Sequence, residues 1–170
     1  MYGGYVTSIP NGDVGTSETL ARMTALVRTA SLHPLVRRQA VEIVQDAAGI
    51  DDRLKARLIR DWVDSRTIFM PDPYGAELLH SPDAVVAHIL TDGIAHVDCD
   101  DVAMLSAALG RSVGLRARFV AVGFSPDGPF RHVWAELGSP RASFWLPVDP
   151  TRPMQGLNGL AVQRSLQVEV

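Results

Sequence analysis

The sequence carries a single cysteine, Cys99, so no internal disulfide can form, a pattern that fits a reducing compartment. It has no Lys/Arg cluster, and with a net charge of −3 over 170 residues this argues against a general nucleic-acid binder. No apolar run approaches the ~20 residues that a membrane span needs. The opening Met1-Tyr2-Gly3-Gly4-Tyr5 has neither a basic n-region nor an apolar h-region, and reads as carrying no signal peptide. No internal repeat is visible. What remains, 46% hydrophobic and 21% charged, has the makeup of one soluble globular domain long enough for a real core.

Residues 1–15 are rich in Gly and Pro, lack periodicity, and read as an extended arm suited to lying along a partner chain. The alternative is that Tyr2, Tyr5, Val6 and Ile9 make a short edge strand. Leu20, Met23, Val27 and Ala30 then mark a first helix capped at Thr16 or Ser17. Pro34, a favoured first helical residue, opens a second through Val36, Ala40, Ile43 and Val44. A third opens at Asp51 or Asp52 and carries Leu54, Leu58, Ile59, Trp62 and Val63. Residues 67–80 read as an irregular connection, and Ser81-Pro82 starts a fourth helix through Val85, Val86, Ile89 and Leu90.

The next stretch, His96-Val97-Asp98-Cys99-Asp100-Asp101, leads into Val102, Leu105, Leu109 and Val113, one apolar stripe closed by Gly114 as a C′ glycine. Asp98 is a good N-cap, which sets Cys99 near the first helical position among backbone N–H groups with no intrahelical partner. Those donors stabilise a thiolate and lower a cysteine pKa; the three acidic neighbours raise it. A cationic partner would settle the balance in favour of a thiolate that reacts below pH 7. A lone cysteine is otherwise a small buried apolar residue. A metal cluster built from His96, Asp98, Cys99, Asp100 and Asp101 is set aside, because these ligands crowd one stretch and no second pair has zinc spacing. No metal or cofactor is implied.

Past Gly114 the period changes from 3.6 to 2. Residues 117–124, 130–137 and 143–149 read as three antiparallel strands separated by turns, with Pro147 pointing to an edge or a bulge. Helices first and a meander after is an α+β arrangement. Residues from Thr151 on, with Leu157, Leu160, Val162, Leu166 and Val168, make either one more strand or a docking tail. Along the second strand His132, Trp134 and Glu136 share a face. Asp149 ends the neighbouring strand, within reach of a His132 ring nitrogen. Nucleophile, base and orienting carboxylate are thereby all supplied.

In chain order, the Asp98-Cys99-Asp100-Asp101 helix start, His132-Val133-Trp134 and Leu146-Pro147-Val148-Asp149-Pro150-Thr151 resemble the transglutaminase-like cysteine enzyme superfamily. Upstream, Trp62-Val63, the Asp72-Pro73 loop with Glu77, and Ser81-Pro82 look like its bacterial and phage branch. The resemblance spans roughly residues 50–152. It implies a papain-like α+β core in which Cys99 is the nucleophile, His132 the general base and acid, and Asp149 the orienting carboxylate. Two departures stand out. Val97 replaces the family's usual Gly two residues before the cysteine and would narrow the approach to the sulfur. No upstream Gln serves as oxyanion donor, which leaves the Cys99 backbone N–H, with Trp62 as a candidate. Asp98 and Trp134 are further cleft candidates, although Trp62 and Trp134 read first as packing residues. His33, His80 and His88 read as surface or packing residues, and Asp100 and Asp101 as capping ones.

The expected organisation is an arm and helical extension at 1–49, a catalytic core at 50–155 and a tail or extra strand at 156–170. The expected activity is acyl transfer on peptide or amide bonds through a Cys99 thioester, with hydrolysis preferred to transamidation. Its partners would be a peptide or protein substrate and, through the arm, an assembly partner, with no nucleic acid and no membrane. The rival is a phage- or prophage-type assembly protein that keeps the fold without essential chemistry. The corresponding location is the bacterial cytoplasm, or a virion for a phage-encoded chain.

Overall fold

The structure is a computed structural model that describes residues 4–6, 12–47, 49, 51–72 and 78–170. Its organising element is the helix α5 (Cys99–Ser112), in which every residue from Asp100 to Gly110 is buried. The sequence suggests one apolar stripe here, but a helix wrapped on all sides buries all its faces. Small residues make this possible: Ala103, Ser106, Ala107, Ala108 and Gly110 let neighbours approach closely, and the Ser106 hydroxyl is satisfied by the Val102 carbonyl at 2.7 Å. At its C-terminus Gly114, at φ 82°, turns the chain. The N–H groups of Gly114 and Leu115 bond back to the carbonyls of Arg111 and Gly110, a Schellman ending.

Four helices pack against α5: α1 (Gly12–Ala30), α2 (Pro34–Ile43), α3 (Asp52–Arg66) and α4 (Pro82–Asp92). Their apolar faces, among them Met23, Val27, Val36, Ile59, Val63, Val85 and Val86, join one continuous core. Fully burying a side chain of this size contributes about 1.5–3 kcal/mol. The caps are local. The Asp51 carboxylate accepts from Leu54 N at 2.9 Å at the start of α3, and His33 Nδ1 accepts from Leu35 N at 3.3 Å at the start of α2. His33 is thus a capping residue rather than simply a surface one.

The other face of α5 lies on a four-stranded antiparallel sheet. Its strands are β5 (Arg116–Gly123), β6 (His132–Gly138), β7 (Trp145–Val148) and β8 (Arg164–Glu169), in the order β7-β6-β5-β8. Ala117, Phe119 and Ala121 from β5 and Val133, Ala135 and Leu137 from β6 belong to the core, as the alternation requires. Pro147 sits on β7, an edge strand where its missing N–H costs no ladder bond. The C-terminal segment resolves as β8, paired with β5 from Arg118↔Glu169 to Gly123↔Arg164.

Four short strands lie where helix, arm or loop was expected. β2 (Thr67–Phe69) pairs in parallel with β4 (Ala95–Val97), and β1 (Gly4–Val6) pairs antiparallel with β3 (Leu78–His80). The arm reading of residues 1–15 is therefore corrected at the described residues 4–6 and 12–15. Gly4–Val6 is an edge strand on its own chain, and α1 begins at Gly12, four residues before Thr16. Tyr2 and Ile9 lie outside the described residues, as do Pro73 and Glu77 of the expected loop. A one-turn helix, α6 (Thr151–Met154), follows β7 and precedes β8. No described helix is long and apolar enough to cross a membrane.

Candidate active site

Asp98 caps α5. Its Oδ1 accepts from the N–H groups of Asp100 and Asp101, each at 3.2 Å, so Cys99 becomes the first helical residue. Asp98 is thus the structural cap of this helix. Val97, the substitution expected to crowd the sulfur, is 2% exposed and packs in the core.

His132 opens β6, and its ring is fully buried. Its Nε2 lies 2.8 Å from Oδ1 of Asp149, the residue after β7. Because a carboxylate only accepts, Nε2 carries the proton and Nδ1 presents a lone pair. Asp149 is itself held, since the same oxygen accepts from Arg152 N at 3.2 Å. Trp134, two residues along β6, is half-buried with its ring centroid 5.8 Å from that of His132, and its indole N–H points to Glu136 at 3.5 Å.

The Cys99 sulfur sits against the backbone N–H of Val133, the residue next to His132. Nucleophile candidate and the backbone that carries His132 therefore come together at the start of β6. The sulfur and the His132 ring are not joined by a hydrogen bond among the described residues. The thiol donates instead to Asp100 Oδ1 at 3.4 Å, and His132 Nδ1 accepts from the Gln155 side-chain amide at 3.4 Å. Burial pushes the Cys99 thiol well above its ordinary range, and the Asp100 and Asp98 carboxylates push it the same way against the Val133 N–H. The expected low-pKa thiolate is corrected for the resting protein: the helix-end donors lose to desolvation and like charge.

Trp62, on α3, is half-buried against the core, and among the described residues no hydrogen bond links its indole to Cys99. Two residues near the site were not visible in the sequence. Gln155 lies at the end of α6, in a tail with no periodicity to locate it. Asp64, near the end of α3, has a carboxyl raised by partial burial, with the Asp61 and Asp149 charges adding and Arg60 opposing, which brings that acid into the field of the dyad. Among the described residues no group of three His, Cys, Asp or Glu side chains is arranged to hold a metal ion.

A cysteine at the start of a buried helix, beside a His–Asp pair on adjacent antiparallel strands, defines a cysteine-enzyme type of α+β fold. Within that class the chain belongs to the transglutaminase-like superfamily, whose profile matches residues 39–150. Among solved structures it is similar to a provisionally assigned cysteine protease from Cytophaga hutchinsonii, with 19% identity and a TM-score of 0.50. That match covers 79% of this chain and 47% of the other, so this chain spans about half the length of that protein. No curated protein matches the chain significantly.

Proposed function

We propose that the protein is a cysteine-dependent acyl-transfer enzyme that acts on peptide or amide bonds, preferentially transferring the acyl group to water. The observation that carries this reading is the 2.8 Å His132–Asp149 contact at the strand end where the Cys99 sulfur lies. Superfamily membership supports the chemistry, and the Cytophaga hutchinsonii neighbour supports the fold.

In this reading His132 Nδ1, freed from Gln155, takes the proton of the Cys99 thiol as the sulfur attacks the substrate carbonyl carbon. The carbonyl π electrons move to oxygen. Asp98 already occupies the Asp100 and Asp101 N–H groups, so the Cys99 N–H is the helix-end donor left for that oxyanion. Collapse breaks the C–N bond, and the imidazolium gives its proton to the departing amine, leaving a Cys99 thioester. His132 then draws a proton from water as its oxygen attacks the thioester. The acid leaves and the thiol regains its proton. Asp149 holds the ring in the required tautomer throughout.

The test is acyl trapping. Incubation with an activated acyl ester, followed by intact-mass and peptide mapping, should show one acyl group on Cys99. The adduct should be absent in Cys99→Ala and accumulate slowly or not at all in His132→Ala. Acylation spread over other residues, or unchanged in His132→Ala, would remove the reading.

A further inference from the structure

The backbone of β2 presents its N–H groups alternately to two sides. Met70 N donates to Val97 O at 2.9 Å, toward β4. Phe69 N points to the other side, where β2 has no strand partner among the described residues, and its acceptor there is the Met154 sulfur at 3.4 Å. A thioether is a weak acceptor for a backbone N–H. Met154 is also 51% exposed, on a one-turn helix, and it is flanked in sequence by Gln155, the residue resting on His132 Nδ1. Ile68 and Met70, which flank Phe69 in sequence and share one face of the strand, are 43% and 53% exposed.

We infer that the open edge of β2 at Phe69 is the docking site for the backbone of an extended, apolar peptide substrate, with Met154 standing in for the substrate carbonyl in the empty protein. This deepens the proposed acyl-transfer reading and rests on it for the identity of the occupant. An extended chain adding to a strand edge gains main-chain hydrogen bonds, and its alternate side chains meet whatever flanks that edge. A peptide carbonyl is the stronger acceptor for Phe69 N–H, so displacing the Met154 thioether exchanges a weak bond for an ordinary one. The peptide would then run past α6 toward Gln155 and His132. The packing supports this direction, because α6 contacts both β2 and α5, the helix that Cys99 opens. Ile68, Met70 and the displaced Met154 give the site its preference for apolar side chains over charged ones.

The experiment uses the full chain as Cys99→Ala, so that binding is read without turnover, and NMR of the Phe69 amide and the Met154 methyl group. The probes are an acetylated, amidated hexapeptide of alternating leucine and alanine, and the same peptide with lysine or glutamate in place of leucine. The leucine peptide should shift the Phe69 amide, slow its hydrogen exchange at least about tenfold, and move the Met154 methyl to a solvent-like position. Met70→Lys should weaken this peptide by about tenfold. Binding of the leucine peptide with Phe69 and Met154 unmoved overturns the inference, and so does failure of all three peptides to bind or equal affinity for all three. The two readings fail separately. Peptide binding at Phe69 without acylation of wild-type Cys99 would sink the enzyme reading and leave the docking site standing.

Discussion

Asp101, buried in the first turn of α5, holds His80 with both carboxylate oxygens: Oδ1 accepts the His80 backbone N–H at 2.8 Å and Oδ2 faces ring Nδ1 at 2.6 Å. The contact ties β3 to the helix that begins with Cys99. Its Asp101 bond raises the His80 pKa above the ordinary value, with Asp72 and Asp98 adding and burial opposing. Burial pushes the Asp101 carboxyl up, against the pull of its His80 bonds. The two bonds to one side chain favour the ion pair as the resting form, so the direction for His80 is the one that governs.

A stability prediction follows for that pair. A His whose folded pKa is raised contributes stability that is fully present below its unfolded pKa of about 6.5 and is lost as pH rises through the folded value. Thermal midpoints of wild type and His80→Gln should therefore differ most below pH ~6.5 and converge at alkaline pH. Asp101→Ala, which removes both of these bonds, should cost about 3–5 kcal/mol in denaturant unfolding. Parallel pH curves for wild type and His80→Gln would show that the pair carries no linked proton.

Asp149 is the next test. Asn at this position can still accept from Arg152 N, but its amide can also present N–H groups to His132 Nε2 and favour the wrong tautomer. Asp149→Asn should lower the rate of acyl transfer by about 10³–10⁴ with the thermal midpoint little changed. Steady-state kinetics beside a melting curve check both halves. An equal loss of rate and of fold would assign Asp149 to structure alone.

How much of this was legible in the sequence depends on the range of the signal. Helix starts at Pro34, Asp51 and Pro82, the Asp98 cap and the Gly114 ending are local, and each stands where its residue type dictates. The His132–Asp149 pair was legible because strand alternation and one short turn constrain it. The His80–Asp101 pair was not. It joins a strand too short to show a period to a helix 21 residues on, and no local pattern encodes that pairing. Gln155 and β2 were hidden for the same reason, and the charge balance at Cys99 depended on burial, which spacing alone does not measure.

Packing of α5 on the sheet can be tested at Gly110. A Cβ added there would lie 2.5 Å from Leu137 Cδ2, and Leu137 is fully buried. Helix propensity favours alanine over glycine by about 1 kcal/mol, while overpacking a tight core costs about 1–3 kcal/mol. The clash should win, so Gly110→Ala should destabilise by up to about 2 kcal/mol. Combining it with Leu137→Ala should cost less than the sum of the single changes, since the second removes the obstructing methyl. Strict additivity in chemical denaturation would mean that the sheet shifts instead.

The resting state of Cys99 gives the last prediction. Its thiol is disfavoured from ionising by burial first and by Asp100 and Asp98 next, and its own proton points at Asp100. Without substrate, the midpoint of iodoacetamide reactivity should lie above the free-thiol value of about 8.5. Asp100→Asn removes the nearest like charge and leaves the Asp98 cap in place, so reactivity at a fixed neutral pH should rise and the midpoint should fall. Asp98→Asn removes charge as well, but the amide oxygen can still accept from Asp100 N and Asp101 N, so it should move the midpoint in the same direction with a modest loss of stability. A wild-type midpoint below pH 7 would mean that thiolate and imidazolium already coexist in the empty site. The parking of the thiol on Asp100 and of His132 on Gln155 would then not be the resting arrangement in solution.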